Sequence, residues 1–401
     1  MINPAVTPAG GVYALTADTT VTLTGDVTLN DFKFSGAHTL TITSGDNGRQ
    51  KLNVNYDFKE LPFNSTTGSI FQVSGVVINN ADLTVVQKDT GKTAGPGRNE
   101  AGCSVFGAGN VEVKGNSTLT ITTDEFANRV FYNNGSSLKI TGSEARVVLD
   151  GATSSTVSLS MTDGAALEIK NPLFSAGNFY PNVSNTSEGA AKCLITVSGA
   201  RDGNHGLFFF GAVSNAGNAD SGLLKNCDIK SDGIVGFYSQ KSVNATGSTI
   251  EADKLVVAKS GAAAMADVTG ATFKVSSVQA INPNDGYKAV DDKILDLGGV
   301  TFTGNTTIGS GVTVNVKEGT TLAVPEKATL TVAGNLAGKG TVVNKGVVES
   351  LNGGNITALV TENETTSRTD DSQMENVSIE GTVKGTDNVF DKDQLATVKG
   401  N

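Results

Sequence analysis

The chain has 401 residues, 30 Lys+Arg against 40 Asp+Glu, and a formal net charge of −10, with only 17% of its residues charged. An acidic chain whose arginines are Arg49, Arg98, Arg129, Arg146, Arg201 and Arg368 lacks the basic footprint of a nucleic-acid binder, and no apolar run approaches the roughly 18 residues that span a membrane. Its 38% hydrophobic residues recur at short intervals, which excludes a disordered chain.

Taken in order, residues 1–60 are dense in short β-branched runs such as Thr20–Thr24 and Thr39–Thr43, preceded by Pro4 and Pro8. They read as N-terminal capping coils. Residues 61–295 hold the main body. Here Ser117–Thr122 and Ser137–Thr141 alternate Leu or Ile with Thr, Ser or Lys, the period of a half-buried strand. Insertions at Asp89–Gly102 and Ala176–Ala191 interrupt the pattern. Residues 296–401 form a denser series (Val312–Val316, Thr321–Val324, Thr329–Val332, Gly340–Val348), then a polar hinge at Glu362–Asp371 and an end cap.

The most informative feature is a repeat. Val243–Ala252 (VNATGSTIEA) aligns with Ala266–Val275 (ADVTGATFKV), and Leu224–Ser231 fits the same template, so Ile229, Ile250 and Phe273 are equivalent. A second strand follows each: Ile234–Phe237, Leu255–Ala258 and Val278–Ile281. A period near 22 residues, with two or three strands and Gly or Asn at the corners, predicts an all-β, right-handed parallel β-helix. Each coil pairs with its neighbours at about 4.8 Å. The leucine-rich repeat signature is missing, and a sandwich array does not repeat at this spacing.

With these repeats and the stretch Gly319–Val324 through Gly346, the chain resembles bacterial cell-surface adhesins and autotransporter-type passengers built on the pectate-lyase-like β-helix. The resemblance implies an extracellular rod displayed at a bacterial surface, usually without catalysis, that contacts glycan or a host or neighbour-cell protein; self-association is open to such a rod. No signal peptide, wall-sorting motif or translocator barrel is written in the sequence. The reading includes no nucleic-acid partner, no membrane insertion, no cofactor and no metal. Two alternatives share the fold: a polysaccharide lyase or hydrolase, and a phage fibre or tailspike.

Three cysteines (Cys103, Cys193, Cys227) in separate contexts read as buried thiols. The two histidines, without a CxxC, make a zinc site poor. For an enzyme on this fold the nominated carboxylates are Asp228 with Glu251, and Asp202 beside His205. The first pair reads more simply as a solvated face shared with Lys230 and Lys274, and the second as a tight turn. Thr93–Arg98 is a corner loop, since it lacks the GKS/T of a phosphate loop. The candidate binding residues are aromatic: Phe179, Tyr180, Phe209, Phe237 and Tyr238. Consecutive rings on a strand point to opposite faces, so one of each pair faces the core and its neighbour can meet a sugar or a protein.

Overall fold

A computed structural model describes residues 11–46, 48–58, 69–88, 104–107, 109–123, 129–131, 136–151, 157–172, 177–183, 191–200, 206–210, 222–238, 242–258, 265–282, 288–290, 293–351, 353–361, 365–368, 373–374 and 382–383. Among them there are strands and turns but no helix. The chain divides into two compact units, Met1–Leu207 and Phe208–Asn401, a division that falls inside the middle region of the sequence reading.

In the first unit the strands stack in parallel and in register. Leu52, Leu83, Leu119, Val147, Leu167 and Ile195 stand in one file, and none is more than 1% exposed. Leu40, Val76, Val111, Leu138 and Leu159 make a second buried file. A third is built of phenylalanines. Phe34 stacks on Phe71 with ring centroids 5.1 Å apart, Phe71 on Phe106 at 5.4 Å, and Phe106 on Phe131 at 5.4 Å. The chain meets the files in a fixed order: Phe34, Leu40, Leu52, then Phe71, Val76, Leu83, then Phe106, Val111, Leu119. Strict alternation makes this work. In Ser117–Thr123 every second residue is buried, and Thr118, Thr120 and Thr122 between them reach the outer face, where a β-branched yet hydroxylated side chain suits a half-solvated strand.

The second unit repeats the logic. Ile229, Ile250, Phe273 and Phe302 are register partners and at most 1% exposed, so the equivalence read from the repeat is the pairing found. The chain passes Ile250, Leu255 and Val268, then Phe273, Val278 and Leu297, then Phe302, Ile308 and Val316. Every described pairing within either unit is parallel except one hairpin, Ile281–Asn282 against Lys288–Ala289. Large parallel sheets visited in a constant order are compatible with a parallel β-helix.

One corner shows why glycine recurs. Asn226, Gly247 and Gly270 sit at equivalent turns with φ of 51°, 75° and 75°, a left-handed conformation that Gly adopts freely and Asn tolerates. At Gly247 the constraint is double, because an added Cβ would also collide with the Asn226 side-chain oxygen. Just inside, the buried Ser248 hydroxyl donates to the Leu224 carbonyl and accepts the Cys227 N–H at 2.9 Å, tying two strands together.

Candidate functional site

On the outer faces, in-register pairing sets charges of opposite sign beside one another. In the first unit Glu112 is the register partner of Lys139, whose Nζ lies 2.9 Å away, with Lys114 at 3.4 Å. Glu168 pairs with Arg146 and, at 3.2 Å, with Lys170. Burial pushes both carboxyls up, but hydrogen bonds and charge from Lys139 and Lys114, and from Arg146 and Lys170, outweigh it and hold them below the usual carboxylate value. Arg49 Nε donates to Asp82 at 2.8 Å, while its Nη atoms reach Asn116 at 2.5 Å and Thr118 at 2.6 Å, clipping successive strands together.

The second unit places the nominated carboxylates in different files. Asp228 stands opposite Thr249, and Glu251 stands between Lys230 and Lys274, with Lys274 Nζ 2.9 Å from its carboxylate. The two acids are therefore offset rather than facing one another across a rung. Glu251 does border a polar groove of about 370 Å³, shared with Ser231, Asp253, Lys274, Ser276 and Asn305. Asp202 and His205 lie outside the described residues, as do Thr93–Arg98 and Cys103. Cys193 and Cys227 are buried thiols, and burial pushes the Cys193 thiol up.

Phe179, Phe209 and Phe237 are fully buried. They are the core members of their pairs, because their inward strand positions place them among the apolar side chains, and a ring with no accessible surface cannot meet a ligand. Tyr180 and Tyr238 belong to the strands Gly177–Val183 and Ile234–Tyr238, but their side chains lie outside the described residues. Every phenylalanine with a described side chain is buried, and Tyr13 and Tyr56 are the described aromatic side chains that retain exposure.

Tyr56 borders a groove that sequence reasoning missed. This depression in the first unit, about 380 Å³, is lined by Asn30, Asp31, Asn55, Tyr56, Asp57, Val86 and Lys88. The strand Val27–Asn30 ends where Asp31, at φ 52°, turns the chain, whereas Lys51–Asp57 and Asp82–Lys88 continue past that point, leaving a step. Register brings Asn30, Asn55 and Val86 into one outward file and sets Asp57 beside Lys88. Asn55 Nδ2 donates to Asn30 Oδ1 at 2.9 Å, and the Asp57 N–H donates to Asp31 Oδ1 at 3.4 Å. Tyr56 is braced by Phe58, edge-on at 4.8 Å, and by Lys33, whose Nζ is 4.8 Å from its ring centre. The signal in the sequence is the pair of outward asparagines closing Val27–Asn30 (VTLN) and lying within Leu52–Asn55 (LNVN), visible only once the 25-residue register is known.

Among the described residues no group of three or more His, Cys, Asp or Glu side chains is placed to hold a metal ion. No protein-family model, curated protein or solved structure matches the chain.

Proposed function

We propose that the chain is a right-handed parallel β-helix of the pectate-lyase-like type, with a basic coil of about 22 residues. In this reading it serves as a non-enzymatic adhesin or display module at a bacterial cell surface, contacting glycan or protein through its lateral faces and loops. The observation that carries the reading is the commitment of Glu251. The best-placed acid of the second unit is flanked in register by Lys230 and Lys274 and ion-paired to the latter, an arrangement that suits a stable lateral surface better than proton transfer. The grooves in both units carry mixed polar and apolar linings open to the lateral face, which suits recognition of an extended partner.

A second reading, a polysaccharide lyase or hydrolase, draws support from the groove that Glu251 shares with Asp253. One experiment separates the two. Purified protein is incubated with a panel of polysaccharides and glycoproteins, bound material is recovered, and the supernatant is assayed for new reducing ends and unsaturated sugar. Retention without product is the expected result. Product release that disappears in Glu251→Gln or Asp253→Asn overturns the non-enzymatic reading.

A further inference from the structure

The groove beside Tyr56 has the chemistry of a small saccharide subsite. We propose that it binds a neutral hexopyranoside unit of a glycan, an inference that rests on the glycan-contacting reading above and assigns it to one place.

Its polar groups are only partly satisfied by one another. The Asn30–Asn55 bond uses one N–H of Asn55 and the carbonyl oxygen of Asn30. The Asn30 amide nitrogen and the Asn55 carbonyl oxygen keep hydrogen-bonding capacity on the outward side, and Asn30 is exposed. These two groups, a donor and an acceptor, sit one rung apart, about 4.8 Å, within reach of two hydroxyls on one sugar ring. Asp31 engages the Asp57 N–H through Oδ1, and its Oδ2 provides another acceptor for a hydroxyl. Lys88, exposed at the far side, supplies a donor. Val86 continues the asparagine file and gives the groove an apolar spot suited to the C–H face of a pyranose.

Charge narrows the class. Asp31, Asp57 and Lys88 line the groove and Lys33 stands over the neighbouring Tyr56 ring, so no cationic excess faces it in a chain whose net charge is −10. That balance disfavours a uronate or another acidic sugar and leaves a neutral ring as the better fit. The volume, about 380 Å³, lies at the low end of the roughly 300–1,000 Å³ typical of small-molecule sites, enough for one or two sugar rings. The Glu251 groove is of similar size, with Asp253 beside the Glu251–Lys274 ion pair, but it lacks the hydrogen-bonded asparagine pair.

The test is saturation-transfer NMR and titration of the full chain with methyl glycosides of glucose, galactose and N-acetylglucosamine, and with glucuronate as the acidic counterpart. Binding of at least one neutral glycoside is expected, weakened about tenfold by Asn55→Ala and by Lys88→Ala with the melting temperature held, and unchanged by Lys274→Ala in the other groove. Neutral-sugar binding indifferent to Asn55→Ala and Lys88→Ala would overturn this site while leaving the glycan-contacting reading intact. Preference for glucuronate would overturn the assigned class. If no glycoside binds while glycoproteins are still retained in the pull-down, the subsite is wrong and the surface role survives; if nothing is retained, both fall.

Discussion

The middle of the first unit and the end of the second solve one packing problem with different amounts of chain. Leu83 and its register partner Leu119 are 36 residues apart, whereas Leu330 and Val348 are separated by 18. Yet all four side chains are fully buried. A rung therefore requires only a few inward residues at fixed intervals, and everything else is corner or excursion. The files differ in bulk as well: phenylalanine rings stack in the first unit, while Val300, Leu322, Val342 and Val360 fill a comparable file in the second. Long rungs with a large aromatic file and short rungs with an aliphatic one both close, because each file meets its own kind above and below.

That contrast can be broken most severely from inside a file. Ile250→Asp places an unpaired charge between Ile229 and Phe273, and a loss of about 4 kcal/mol or more is expected, read as a collapse of the urea midpoint. An unaltered melting temperature would show that Ile250 does not face the core. Phe71→Ala removes the second of four stacked rings and should cost about 3–5 kcal/mol. Leu322→Ala in the aliphatic file should cost about 2–3 kcal/mol, the lower part of the range for aliphatic truncation. Equal losses measured by denaturant melts would remove the distinction between the two files.

A smaller effect is expected at the corners. Gly247→Ala combines a positive φ with a collision against Asn226 and should destabilise by about 1–3 kcal/mol. Asn226→Gly made in the same chain should recover part of that loss by removing the colliding atom, while the φ penalty remains.

The smallest effect sits on the outer face and depends on pH. The Glu112 and Glu168 carboxyls are lowered in the folded chain from 4.5. Their stabilisation is therefore complete above that value and is lost as pH falls through the lowered folded values. Because the pairs are partly exposed, the contribution should be under about 1 kcal/mol each. Wild type and the double variant Glu112→Gln/Glu168→Gln should differ in urea midpoint at pH 7, and the difference should shrink as pH falls below 4.5. A difference that stays constant from pH 7 down to the acid limit of folding would mean that the two side chains act through packing rather than charge.

The repeat in the second unit was legible because Thr-Gly corners and an inward Ile or Phe recur with almost no inserted residues, so alignment alone yields the pairing of Ile229, Ile250 and Phe273. In the first unit the same logic was obscured, since a 36-residue step between Leu83 and Leu119 leaves no repeat for the eye. Alternation told that consecutive rings split between faces, but it could not say which ring goes in; Phe179, Phe209 and Phe237 all went in. The Asn30–Asn55 groove was invisible for a related reason. Neither asparagine is unusual in its own strand, and what makes them a site is a neighbour 25 residues away.

In-register parallel pairing also has a mechanical consequence. Within the second unit the backbone hydrogen bonds from Thr329–Val332 to Val347–Ser350, and on to Thr365–Arg368, point along the direction in which strands stack. Tension along that direction loads the bonds of one rung before those of the next, as in a zipper. Each 18-residue rung that peels away would release roughly 60 Å of extended chain. A single-molecule pulling trace should then show a sawtooth of low yields, spaced by about this length where the short rungs peel, each dissipating energy while the remaining rungs stay folded.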